Sequence, residues 1–262
     1  NMLCIKEGTI KMNSILKELE KSQKYLDLIK SIENKKSPID ISGLTDVAEV
    51  ALLTAINEHT KRPIIFITYN EVQAQKLIYD FKFFTDKVHF FPKKDIVTYD
   101  YVAESKDLPY ERIEVLNKIN KEQNIIIVTS IEAVKQKIIS KKNLYKNMLS
   151  FKVGDKCNLE EIKQKLVNLG YQRFDLIDGR GEFSVRGDII DISTNQTQGI
   201  RIELWGDEID SIRRFNIISQ RSTENLQKAE IFPAHEYILE NNIEQVVENI
   251  QKTVYRRTCR KS

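Results

Sequence analysis

The chain has 262 residues, 41% hydrophobic and 30% charged, with nine Gly and five Pro. At roughly 150 residues per domain this means one large domain or two ordinary ones, and it excludes a collagen-like, low-complexity or wholly disordered chain. Lys and Arg number 41 against 38 Asp and Glu, a formal charge of +3. That is too small for a dedicated nucleic-acid-binding domain, so any basic site must be local.

From the amino terminus, Asn1 ahead of Met2 reads as a remnant of a tag, and residues 1–7 lack the long apolar stretch of a signal peptide. Over residues 11–35 the apolar side chains Ile15, Leu16, Leu19, Tyr25, Leu26, Ile29 and Ile32 recur at three- and four-residue intervals, which predicts one amphipathic helix ended by Pro38. Short apolar runs at 39–41, 63–68, 88–91 and 124–129 then alternate with helix-period segments at 47–58, 71–84, 107–121 and 130–139. Strands this short and apolar, each followed by a helix, predict buried parallel strands in an α/β layer structure.

After about Ser150 the texture changes. A strand at 151–153 and a helix at 159–169, begun at Asn158 with acidic residues in its first turn, lead into a run at 171–177. Alternating β-rich runs follow at 181–192, 199–205 and 208–217, separated by turns rich in Asn, Gln, Thr, Gly and Asp. This half reads as a small α+β domain with an antiparallel sheet. A last helical period at 242–255 ends in a basic tail. No internal repeat is present, and no apolar run approaches the roughly 18 residues of a membrane span. The expectation is a cytoplasmic protein with no membrane partner, and Cys4, Cys157 and Cys259, far apart and odd in number, read as free thiols.

The turn after the first predicted strand is where an α/β nucleotide-binding protein places its phosphate loop. Set against G-x-x-x-x-G-K-[ST], Gly43 is kept, but the second glycine is Ala48, the lysine is Glu49 and the hydroxyl residue is Val50. Carboxylates at Asp46 and Glu49 repel phosphate, and Val50 cannot ligate magnesium. The expectation is a strand–turn–helix kept for packing, with no nucleotide cofactor. His59, His89 and His235 are isolated from one another and read as packing or surface residues, so no metal ligand is assigned. No G-x-S-x-G elbow occurs, and the carboxylate pairs Asp207 with Glu208 and Asp188 with Asp191 lie in or beside strands, where neighbours point apart. They read as turn caps or arginine partners, and no catalytic residue is assigned.

The richest segment is 171–192. On a strand, Glu182, Ser184 and Arg186 share one face and Phe183 and Val185 the other. Two readings are open: a solvated, mixed-charge sheet face, or a docking surface in which arginine and aromatic residues hold a partner.

Arg173, then Gly181-Glu182-Phe183-Ser184-Val185-Arg186-Gly187-Asp188 continuing to Ile192, then the runs 201–213, 219–222 and 233–236, closely resemble the amino-terminal module of the bacterial transcription-repair coupling factors (Mfd). That module is itself similar to the excision-repair protein UvrB. The decayed loop at Gly43, the run 91–95 and the run 110–116 fall at family-like positions too, so the resemblance covers nearly the whole chain. It implies a helicase-like (RecA-like) parallel-sheet α/β domain without a functional phosphate loop over 1–148, a UvrB-like α+β domain that binds UvrA over 149–236, and the start of a third subdomain over 237–262. It implies an amino-terminal fragment that is not itself an enzyme and recruits UvrA to stalled RNA polymerase, in a family whose full-length members also contact RNA polymerase and translocate on double-stranded DNA at the expense of ATP. Arg173 and Arg186, with Phe183 the aromatic between them, carry over as UvrA-binding positions. Arg180 matches a basic position of UvrB, whereas Ser184 stands where UvrB has another basic residue. After Tyr99-Asp100-Tyr101 the chain leaves no room for the damage-probing hairpin of UvrB. The rival reading is a UvrB-like nucleotide- or DNA-binding domain.

Overall fold

The computed structural model describes residues 16–94, 107–122 and 124–236. Tyr99-Asp100-Tyr101 and the stretch 237–262 lie outside them. The chain divides into two compact units, Asn1–Lys137 and Ile138–Ser262.

In the first unit the helix predicted over 11–35 is broken. Residues 16–20 are helical, Lys21 and Ser22 leave the helix, and α1 (Gln23–Glu33) starts again behind Ser22, whose backbone is extended as an N-cap requires. Tyr25 anchors α1: its hydroxyl donates to the Ala55 carbonyl at 3.1 Å, and burial pushes its pKa up to about 12. The strand predicted at 39–41 does not form; Ile39 and Ile41 are exposed and no strand precedes β1 among the described residues. Pro38, at the entry to this run, has no N–H to give a ladder.

Next come α2 (Asp46–Thr60), β1 (Ile64–Thr68), α3 (Glu71–Lys82), β2 (Val88–Phe91), α4 (Leu108–Lys121), β3 (Ile126–Ser130) and the single turn α5 (Ile131–Val134). The predicted helix over 130–139 is therefore cut to one turn, which the Ser130 hydroxyl caps by accepting the Ala133 amide. The three strands form a parallel sheet in the order β1-β3-β2, with Ile126 opposite both Ile64 and Val88. The central β3 is buried throughout, and Val50, Ala55, Leu77 and Phe81 of α2 and α3 join Ile126 and Val128 in one core. Arg112 of α4 is fully buried, with its guanidinium 4.1 Å above the Phe91 ring and donating to the Pro92 carbonyl.

The second unit opens with α6 (Lys141–Lys146), which the sequence pattern did not announce, then β4 (Leu149–Lys152) and α7 (Leu159–Asn168). Asn158 caps α7 as expected, its side-chain oxygen accepting the amides of Glu160 and Glu161. The run at 171–177 holds a two-residue β5 (Gln172–Arg173), followed by a loop at 174–181. The strands β6 (Glu182–Arg186), β7 (Ile189–Ser193), β8 (Gln198–Trp205), β9 (Glu208–Asn216) and β10 (Ser222–Leu226) complete a six-stranded sheet in the order β10-β9-β8-β7-β6-β5. It is antiparallel except where β5 runs parallel to β6. A separate antiparallel pair joins β4 to β11 (Lys228–Ile231).

Candidate protein-docking face

The register of the large sheet sorts its side chains into two faces, because residues directly opposite one another in a ladder point the same way. Phe183, Ile192 and Ile200 form one apolar row, and Val185, Ile190, Ile202 and Ile212 the next. The other face is polar: Ser184, Asp191, Arg201 and Arg213 stand side by side, and beside them Arg186, Ile189, Glu203 and Ser211.

At the centre of the polar face Asp191 is 1% exposed. Arg201 grips it with two contacts, Nε to Oδ1 at 2.7 Å and Nη2 to Oδ2 at 2.8 Å, and Arg186 donates to the same Oδ2 at 2.8 Å. The Asp191 hydrogen bond raises the Arg201 pKa further, and the same guanidinium lies 4.7 Å above the Phe215 ring. Gly199 makes that ring possible: a Cβ there would come within 2.6 Å of Phe215 and 2.9 Å of the Ile192 carbonyl. Arg213 pairs with Glu203, to which Ser211 also donates at 2.9 Å. Three guanidiniums thus face two carboxylates, leaving one net positive charge, and the outermost, Arg186, has 49% of its side chain exposed.

The 174–181 loop is tied down beside this face. The Glu182 carboxylate accepts the Asp178 and Gly179 amides at 2.9 and 3.0 Å, and Ile177 is buried with Phe215 and Ile217. Arg180, on this loop, is half-buried.

The four expected docking residues do not form one cluster. Phe183 is 0% exposed, on the apolar side of β6. It therefore does not stand on the surface as the aromatic between two arginines: alternation along β6 sends it to the core while Arg186 reaches solvent. Arg173 is exposed on the edge strand β5, in register with Phe183 and hence on the opposite side of the sheet from Arg186. Its charge reaches Glu160 of α7, whose pKa is held low by Lys163 first and by Arg173 to a smaller degree. Arg173 and Arg186 flank the β5–β6 edge from its two sides. The carboxylate reading holds for Asp191, which is an arginine partner; what the sequence did not reveal is that it is buried and shared between two arginines.

In the first unit, Gly43 has φ +79° with open space around it. Asp46 and Glu49 occupy the first turn of α2, where the helix dipole favours anions and where a phosphate would otherwise sit. Lys76 of α3 donates to Asp46 at 2.6 Å and holds its pKa down. Ala48 and Glu49 are half-buried and Val50 is wholly buried, so Val50 presents nothing to a ligand. Of the histidines, His59 sets its ring edge-on to Tyr25 at 6.1 Å, and no group of three His, Cys, Asp or Glu able to hold a metal occurs among the described residues. No helix of the described residues is long and apolar enough to cross a membrane. Cys157 is a free, half-buried thiol whose pKa burial raises.

Residues 149–237, in the second unit, match the family model of the UvrB interaction domain. Beyond that domain, the chain is 31% identical over 220 residues to the transcription-repair-coupling factor of Staphylococcus aureus (strain bovine RF122 / ET3-1), covering 83% of this chain and 19% of that protein. The transcription-repair-coupling factor of Staphylococcus haemolyticus (strain JCSC1435) is likewise 31% identical, over 221 residues and the same shares. The chain thus resembles the amino-terminal UvrB-homology module of the transcription-repair coupling factors and spans about a fifth of the length of the curated relatives it matches.

Proposed function

We propose that this chain is a non-catalytic docking module of a transcription-repair coupling factor, which recruits UvrA to stalled RNA polymerase in transcription-coupled nucleotide excision repair. On this reading the polymerase contact and the ATP-driven translocation on double-stranded DNA belong to other parts of a longer protein. Residues 1–148 are a helicase-like domain whose phosphate loop has lost its function, 149–236 are the UvrA-docking domain, and 237–262 begin a third subdomain.

The observation that carries the reading is the β5–β6 edge of the UvrB interaction domain, where solvent-exposed Arg173 and Arg186 lie on either side of a rigid sheet margin. An acidic partner surface wrapping that margin meets a guanidinium on each side, and arginine forks bind carboxylates bidentately. Such complementarity steers encounter and fixes orientation. Phe183 supports the face from beneath, and Arg180 adds charge at the loop.

The test is calorimetric titration of UvrA into the chain and into its Arg173→Ala and Arg186→Ala variants. Each loss is expected to cost about 1–3 kcal/mol of binding, with the on-rate of the wild type falling as salt rises. Unchanged affinity in both variants sinks the assignment. Micromolar ATP binding, or strongly salt-dependent DNA binding by the wild-type chain, would favour the UvrB-like nucleotide- or DNA-binding alternative instead.

A further inference from the structure

In the first unit β1 is an outer strand of the three-stranded sheet, and no strand lies on its free side among the described residues. Its other side is fixed. The Ile64 amide donates to the Ile125 carbonyl at 2.9 Å, and alternation along a parallel ladder turns the backbone groups of Phe66 and Thr68 to β3 as well. The amides and carbonyls of Ile65 and Ile67 therefore point to the free side. Their side chains are exposed too, Ile65 at 63% and Ile67 at 46%, whereas strands of a parallel sheet are ordinarily covered on both faces.

An open edge invites another chain, and proteins guard their edges with charge, brevity or a bulge. The other outer strands here are guarded. β5 has two residues, one of them the exposed Arg173. β10 carries Glu224 and a register shift between Ser222 and Glu224. The β4–β11 pair carries Lys152, Lys228 and Glu230, and on β2 the His89 ring has Lys118 Nζ 3.4 Å away. β1, of sequence Ile-Ile-Phe-Ile-Thr, has no charge, no proline and no bulge.

We propose that β1 is a homotypic pairing edge, whose occupant is β1 of a second copy of this chain. The surface lies in the first unit and does not depend on the UvrA reading. A twofold axis perpendicular to the sheet pairs identical edges antiparallel. Centred on Phe66, it sets Ile65 opposite the second copy's Ile67, and Ile67 opposite its Ile65. Residues so placed exchange both N–H···O bonds, so the outward amides and carbonyls of both are satisfied. The isoleucine side chains of the two copies then cover one another. Beyond the strand the same register brings Tyr69, 71% exposed, to the second copy's Pro63. It also brings the exposed Lys61 and Arg62 towards the second copy's Glu71, so the ends are complementary in charge. Sliding the register by two residues would put Pro63 into the ladder, where it has no N–H to give. An interface of two short strands is small, so association is weak and reversible.

Sedimentation equilibrium of the whole chain should show the mean mass rising from that of one chain towards that of two as the concentration climbs to millimolar. Ile65→Lys and Ile67→Lys should each raise the dimer dissociation constant at least tenfold, with melting of the dilute protein unchanged because both side chains are exposed. Ile218→Lys, at an 81% exposed site of the second unit, should leave the constant where it is. Amide exchange reads the edge residue by residue. The Phe66 amide, which faces β3, should be protected at every concentration, and those of Ile65 and Ile67 only where dimer forms. A mean mass that stays at one chain up to millimolar concentration overturns the proposal. So does a dimer that both β1 lysine variants form as well as the wild type, or that Ile218→Lys weakens equally, since the contact then lies elsewhere. Slow exchange of Ile65 and Ile67 in dilute, monomeric protein overturns it too, because the edge is then covered from within the chain. None of these outcomes bears on UvrA binding, which is read at the second unit.

Discussion

A carboxylate taken out of water costs several kcal/mol unless its oxygens are matched, and Asp191 meets that demand with both oxygens held by guanidiniums from two strands. The two arginines do not contribute equally. Arg201 is mostly buried and makes the bidentate contact; Arg186 is half exposed and makes a single one, so losing Arg186 leaves Asp191 still paired. Asp191→Asn is therefore expected to lower unfolding stability by about 2–4 kcal/mol, since it strands the buried Arg201. Arg186→Ala should cost about 1 kcal/mol or less, as exposed ion pairs do. Urea unfolding of the two variants checks the asymmetry, and equal losses would mean that Arg186 is a structural brace rather than a residue available to a partner. This clamp was legible in the sequence only as "a carboxylate near arginines". Its burial follows from register, and register is set by which residues the two-residue turns at Gly187 and Gly206 leave opposite each other.

At the scale of elements, periodicity read the long helices and the apolar strands well, because α2, α3, α4 and α7 bury apolar stripes and β3 is buried throughout, but the expectation of fully buried strands fails at β1, where Ile65 and Ile67 are exposed. It failed where partners rather than propensity decide. The run at 39–41 has strand composition but no strand beside it, whereas β5 and β10 are short and polar, β11 alternates polar with buried Ala229 and Ile231, and each exists because a neighbouring strand offers a ladder. The strand β2 carries a further consequence. His89 is half-buried on it, with Lys118 Nζ 3.4 Å from Nδ1 and Glu114 and Glu122 of the α4 region also felt; burial first, then Lys118, lowers its pKa below the ordinary 6.5. The unfolded chain then takes up a proton at higher pH than the folded one. Stability is full above about pH 6.5 and declines as pH falls below it, until the folded-state value is passed. His89→Gln cannot titrate, so its unfolding midpoint should drop less than the wild type's between pH 7.5 and 5.5. A midpoint equally pH-dependent in both proteins would assign the slope to other groups.

For the molecule as a whole, the sequence singled out the segment 171–192 and left the choice between solvated sheet and docking surface open, while the separation of Arg173 from Arg186 and the burial of Phe183 could be seen only once the sheet was assembled. The first unit poses the complementary question of whether its parallel-sheet α/β fold binds nucleotide at the Gly43 turn. We expect that it does not, on three observations: no strand leads into the Gly43 turn, the α2 terminus already holds Asp46 and Glu49, and the nearby ammonium of Lys76 pairs with Asp46. A phosphate arriving there meets two carboxylates in place of one lysine. A ligand present at a hundred times its Kd would stabilise the fold by about 2.7 kcal/mol. In a chain of this size that moves Tm by roughly 2–4 °C per kcal/mol. Millimolar Mg·ATP should therefore leave the melting curve of the first unit where it is, and Glu49→Lys alone should not change that, because Val50 remains buried and Asp46 remains in the first turn. A saturable upward shift of the wild-type curve with ATP would show that the site survives its substitutions.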